Sequence, residues 1–382
     1  MAVETAEVAT PPAATRRPER GTGKRRLRIA RVRYGTIVAG SAVFLLGGYW
    51  DVSWHIIVGR DTFWSPPHLV LYAGIIAILA ACGSAVAQAA AAARGRGPAL
   101  PGPLVPLPFG LRLPPGILVT LVGAGMSLAS APIDDTWHRL YGLDVTVWSP
   151  PHIMLVAGMV IAPFGALIGL TLETNHQLPV RLRRMWHDTG QLWRLPRSEI
   201  TAIAAGGMIL AIALAVLTEY DFDLPIYGLV YHPIILSSLS AFILVAAARA
   251  SGRIGAATLA ALAYTAMRLA AHAELVLLDG IRPQIPLVLA AAPIIDLVLV
   301  GLPLRPLWLR AALAGAGFAG ALVAVQLPYL QAYGWVQWEP EMLAVAAPWM
   351  LGLSAAGAAL GWLVGSTLRP VHEVPEDLAS DA

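Results

Sequence analysis

The chain has 382 residues, of which 57% are hydrophobic and 13% charged, and its mean hydropathy of +0.66 is far too high for a water-soluble domain of this length. The formal charge is only +3, and its arginines gather where a bilayer protein needs them, so the pI of 9.2 calls for no nucleic-acid partner. The single cysteine, Cys82, excludes an intrachain disulfide and a Cys-rich metal site.

In chain order, residues 1–33 read as a disordered basic cytoplasmic arm, rich in Pro, Ala, Thr and Arg, with nine basic residues before Tyr34. A cleaved secretory signal would bring its apolar core sooner. Residues 34–367 form the transmembrane domain. At about 20 apolar residues per crossing, ten spans are predicted, near 34–51, 68–92, 114–133, 152–172, 199–218, 228–249, 254–278, 284–304, 308–328 and 342–366. Residues 368–382 are a polar cytoplasmic tail. The predicted fold is all-α, a polytopic integral membrane protein of about ten transmembrane helices built from helical-hairpin repeats, the first two at about 34–92 and 114–172.

Loop by loop, 22 of the 26 basic residues fall on one side of this topology, leaving Arg60, Arg139, Arg268 and Arg282. Positive loops stay in the cytoplasm, so both termini are expected there. The opposite, outer face collects Asp51, Asp61, Asp134, Asp135, Asp144 and most histidines. Lys24 is the one lysine, and the abundance of Arg, Ala, Gly and Pro is associated with GC-rich bacterial genomes. The expected location is a bacterial cytoplasmic (inner) membrane.

The most informative stretches join the first two pairs of spans: "DVSWHIIVGRDTFWSPPH" from Asp51 to His68, and "DDTWHRLYGLDVTVWSPPH" from Asp134 to His152. Asp51 and His55 are four apart, as are Asp134 and His138, so each pair shares one face of a helix. Ser65 and Ser149 are placed to cap the next helix, and the prolines that follow fit its first turn, which fixes His68 and His152 there. The turn thus returns a second imidazole beside the first pair. Later stretches hold weaker echoes, with His232 after Tyr227-Gly228 and Glu341 after Tyr333-Gly334.

Two imidazoles and a carboxylate suit a divalent transition metal, and three protein ligands leave a coordination position open. Asp51, His55 and His68, with Asp134, His138 and His152, are therefore the candidate metal ligands, in two separate sites or one dinuclear centre. A bland alternative stands beside this: tryptophans populate the membrane interface, and Ser-Pro-Pro-His is a good helix start. Against it stands the cost of placing ionisable groups in a span, incurred twice.

The Asp51-x3-His55-x12-His68 pattern resembles the metal motif of the C subunit of copper membrane monooxygenases, the particulate methane and ammonia monooxygenases. Asp134, His138 and His152 match with one extra residue in the second gap. The resemblance covers about 18 residues in each copy. It implies copper as the metal, an oxygen-activating membrane oxidase or monooxygenase-like component, and partner subunits. The tandem copies, the ten spans and the Pro-Pro before the last histidine depart from that subunit. Zinc, or a haem held by histidines of paired hairpins, are the alternative cofactors, and no catalytic residue beyond the ligands is identified.

Two other functions fit parts of the sequence. In a transporter of metal or small solutes, Arg268, His272, Glu274 and Asp296 would line a path, although a structural ion pair such as Arg268–Asp296 explains them equally well. In a structural or assembly subunit, tryptophans at the outer hairpin tips, among them Trp64, Trp148, Trp335 and Trp338, would dock other membrane subunits or a second copy. "GAGFAG" from Gly315 to Gly320 lies in an apolar span, where small residues serve helix packing and not dinucleotide binding.

Overall fold

A computed structural model describes residues 20–59, 62–142, 148–175, 197–224, 227–334 and 336–368. Residues 369–382 of the expected tail at 368–382, Asp61, Asp144, Trp335 and the arginines expected on the cytoplasmic side, Arg181, Arg183, Arg184 and Arg194, lie outside these residues.

The chain is almost entirely helical. Helices α1 (Arg20–Val58) and α2 (Pro66–Ala93) form a first hairpin; a small loop with strands β1 (Val105–Pro106) and β2 (Arg112–Leu113) leads to a second, α3 (Pro115–Tyr141) and α4 (Pro150–Asn175). Then come α5 (Arg197–Ala213), a 3₁₀ turn (Leu214–Leu217), the short α6 (Thr218–Asp221), α7 (Tyr231–Ser251) and α8 (Ala256–Leu278). The chain closes with the short α9 (Val288–Ala291), α10 (Pro293–Gly301), α11 (Leu307–Tyr333) and α12 (Pro340–Thr367). Among the described residues, nine helical stretches are long and apolar enough to cross a membrane. The basic segment expected as an arm is already helical from Arg20 onward, as an extension of α1.

The expected eighth span, 284–304, does not form as one continuous helix. Its helical part, Val288–Gly301, is about 21 Å long at 1.5 Å per residue, short of a bilayer core of about 30 Å. The cause is local: "IRPQIP" places Pro283 and Pro286 where a helix would need free N–H groups. Side chains of neighbouring helices satisfy the extended backbone instead. Arg268 donates to the Gln284 carbonyl, a ring nitrogen of His272 lies 3.0 Å from the Pro283 carbonyl, and Gln326 accepts from the Leu287 amide at 2.7 Å.

The first two hairpins close in the same way. A Cβ on Gly74 of α2 would come within 2.6 Å of the Gly40 carbonyl of α1, and a Cβ on Gly158 of α4 within 2.6 Å of the Gly123 carbonyl of α3. Each contact sits between the helices at the same remove from its Asp-His motif: Gly40 and Gly123 precede His55 and His138 by fifteen positions, and Gly74 and Gly158 follow His68 and His152 by six. In lipid no hydrophobic force draws helices together, so close backbone approach through small residues supplies the dispersion contact. The two hairpins meet where α1 packs on α4 and α2 on α3, with α5 lying against α4 and α1. Gly315 of "GAGFAG" likewise abuts Ser354 and Ala358 of α12, as expected of a packing residue.

Candidate metal centre

The helices run on through the motifs, so Asp51 and His55 lie one turn apart near the end of α1, and Asp134 and His138 near the end of α3. Pro66 and Pro67 occupy the first two positions of α2, and Pro150 and Pro151 open α4, which sets His68 and His152 in the opening turns. The expected serine caps do not form. Ser65 makes no side-chain cap bond, and the buried Ser149 hydroxyl has no hydrogen-bond partner among the described residues. Of the N2 and N3 amides that such a cap would bond, the second proline removes the N2 donor.

In the second hairpin the three donors meet. Asp134 Oδ1 lies 3.1 Å from His152 Nε2 and 3.7 Å from His138 Nε2. Ligand atoms of all three residues fall within 4.8 Å of one another. The two shorter separations bracket the edge, about 3.4 Å, of a tetrahedron around an ion 2.0–2.1 Å from each ligand. The three side chains are 10–17% exposed. A first-row transition-metal ion therefore fits both the chemistry and the spacing of this donor set.

The first hairpin is arranged differently. Asp51 Oδ1 lies 3.3 Å from His68 Nε2, and the His55 ring centroid is 6.1 Å from that of His138 in the second hairpin. His138 in turn stands 6.0 Å from His152. Among the described residues, Asp134, His138 and His152 are the group of three within metal-holding reach. All six predicted residues nonetheless gather at one end of the bundle, between α1, α2, α3 and α4.

A cleft of about 620 Å³ opens between α2 and α3 and is lined by His68, Asp134, His138 and His152. Its deeper wall is apolar, with Leu71, Ile75 and Leu155, while Phe63, Trp64 and Tyr72 stand at its side. Tyr72 packs against His68 at 6.0 Å. Asp135, beside the triad, forms a 2.5 Å pair with the largely exposed Arg139, a surface contact of small energetic weight.

The weaker echoes hold no such site. His232 is buried, and its Nδ1 accepts a 3.1 Å hydrogen bond from Trp338 Nε1, with Tyr220 packed 5.0 Å away; Glu341 is exposed. Of the intramembrane residues, Arg268 pairs with Asp221 at 2.9 Å and not with Asp296. Tyr49 contributes a hydroxyl 3.1 Å from the same Asp221 oxygen and a ring under the guanidinium at 4.8 Å. Asp296 instead caps α8, accepting from the amides of Ala257 and Thr258 at 3.2 and 2.8 Å. The Glu274 carboxylate has one buried oxygen with no hydrogen-bond partner among the described residues.

The likeness of the hairpins continues past the last histidine of each motif: "WSPPHLVLYAG" and "WSPPHIMLVAG" share eight of eleven positions, including Leu71/Leu155 and Gly74/Gly158. Leu71 and Leu155 both line the cleft, and the glycines set the hairpin closure. Compared with known proteins, the chain matches no protein-family model, no curated protein and no solved structure.

Proposed function

We propose that this is a membrane metal-binding protein whose resident ion is held by Asp134, His138 and His152, with Asp51, His55 and His68 contributing from the first hairpin. The observation that carries the reading is the approach of one carboxylate oxygen and two imidazole nitrogens, from two helices, to within 4.8 Å of one another. Copper is the metal we favour, on the strength of the motif's resemblance to the copper membrane monooxygenases and because imidazole suits it. When bound, copper would supply one-electron redox chemistry at a position that three protein ligands leave open. The protein's own part is to hold the imidazoles by helix geometry and to border that position with the largely apolar cleft. A monooxygenase-like or oxidase role follows from the same reading, with partner subunits as in the family it resembles.

The distribution of arginines supports an orientation with this end facing outward from a bacterial cytoplasmic membrane. A transport path has less support, because Arg268 and Asp296 are engaged in an ion pair and a helix cap. The deciding experiment is metal analysis of the purified full-length protein. Copper that is retained by the wild type and lost in His138→Ala supports the reading. A metal-free protein that cannot be loaded with copper or zinc, and that folds unchanged in the variant, would turn attention to docking of a membrane partner at the hairpin tips.

A further inference from the structure

We infer that the two hairpins build one dinuclear centre, and not two independent mononuclear sites. The inference rests on the metal-binding reading above and adds the number and mutual position of the ions.

Three observations carry it. The rings of His55, His138 and His152 form an unbroken series from α1 through α3 to α4, with successive centroids 6.1 and 6.0 Å apart. The cavities on either side mix donors from both hairpins. His68 of the first lines the large cleft with Asp134, His138 and His152, and His152 of the second borders a smaller cavity of about 80 Å³ with Asp51 and His55. Finally, the group within 4.8 Å contains Asp134, His138 and His152 and none of the first hairpin's donors, so one ion cannot take all six.

Asp134, His138 and His152 then serve one ion, while Asp51 and His68, 3.3 Å apart, with His55 on the neighbouring cavity, are left for the second. With the His55 and His138 rings 6.1 Å apart, the two ions would lie near enough for their spins to interact. Each carboxylate bonds locally, Asp51 beside His68 at 3.3 Å and Asp134 beside His152 at 3.1 Å. Each ion therefore has one negative charge next to it, and the two carboxylates are kept apart by imidazoles. The site as a whole needs both hairpins, which accounts for the second copy of the motif.

The test uses full-length protein in nanodiscs, stripped of metal and titrated with Cu(II) alone. Copper content is read by mass spectrometry and unpaired spins by electron paramagnetic resonance. Two copper ions per chain with a strongly broadened signal, or a spin count well below the copper content, are expected, because ions this close couple. His55→Ala should then alter the signal of the ion that remains, and Asp51→Asn serves if that variant fails to fold. One copper per chain, or two with the full count of unbroadened spins, would overturn the dinuclear centre and leave the metal-binding reading standing. No copper at all would remove both.

Discussion

His55 and His138 stand at matching positions in their two hairpins, yet their imidazoles face each other across the boundary between them, with ring planes inclined at 71°. The two motifs therefore meet at these rings. Their separation of 6.1 Å depends on how α1, α3 and α4 pack, so helix packing and metal binding should respond to the same substitutions.

Removing a ligand is the most direct check. His138→Ala and His152→Ala should each weaken copper binding by more than the roughly 10–100-fold that loss of an outer hydrogen-bond partner costs. Isothermal titration of detergent-purified protein measures this, with His232→Ala as the comparison. His232 is engaged by Trp338, so its loss should leave the metal affinity unchanged; an equal fall in all three variants would count against the assigned ligands.

Hairpin closure provides an independent handle. A side chain at Gly158 would collide with the Gly123 carbonyl at 2.6 Å, so Gly158→Val should separate α3 from α4 at an overpacking cost of roughly 1–3 kcal/mol. His152 would then move away from Asp134, and copper affinity should fall although no ligand has changed. A Cβ added at Gly125 would meet nothing within 4 Å, and Gly125→Ala should be neutral or slightly stabilising through helix propensity. Comparing thermal stability and copper affinity of the two variants separates close packing from a general effect of glycine loss.

The Arg268–Asp221 pair should behave as a buried ion pair. Asp221→Leu leaves a guanidinium in the membrane interior without its partner and should destabilise the protein by about 3–5 kcal/mol. The double variant Arg268→Met/Asp221→Leu should recover much of that loss, because it removes both charges. Denaturant titration of the single and double variants gives the coupling directly, and a double variant no better than the single would show that the pair is not the dominant interaction. Copper content should follow folding alone in this series.

Asp296 distinguishes a structural role from a transport path. It accepts from the first-turn amides of α8 and from the Thr258 hydroxyl at 2.6 Å, so Asp296→Ala should cost about 0.5–2 kcal/mol, as loss of a helix cap does. Copper affinity should not change. Vesicle uptake of copper that depends on Asp296, at unchanged stability, would instead place this residue on a path through the membrane.

Much of this architecture was legible from local pattern. Apolar runs of about 20 residues mark the nine helices that, among the described residues, are long and apolar enough to cross a membrane, because burial of backbone in lipid demands helices of that length. The four-residue spacing of Asp134 and His138, followed by a proline-opened helix carrying His152, brings these groups to one end of a hairpin through backbone geometry, but the same spacing in the first hairpin leaves His55 outside such a group, so packing decides whether the three donors converge. The same logic missed the non-helical start of the eighth segment, where hydropathy continued across 284–304 but Pro283 and Pro286 kept the helix from starting until Val288. Tertiary structure alone decided that His55 comes beside His138 of the other hairpin, that Arg268 pairs with Asp221 rather than Asp296, and that His232 accepts from Trp338. Such choices depend on which helices become neighbours. Among helices that are all apolar, hydropathy hardly distinguishes one neighbour from another, and the selection is made by close contacts such as Gly40–Gly74 and Gly123–Gly158, which only the assembled bundle brings together.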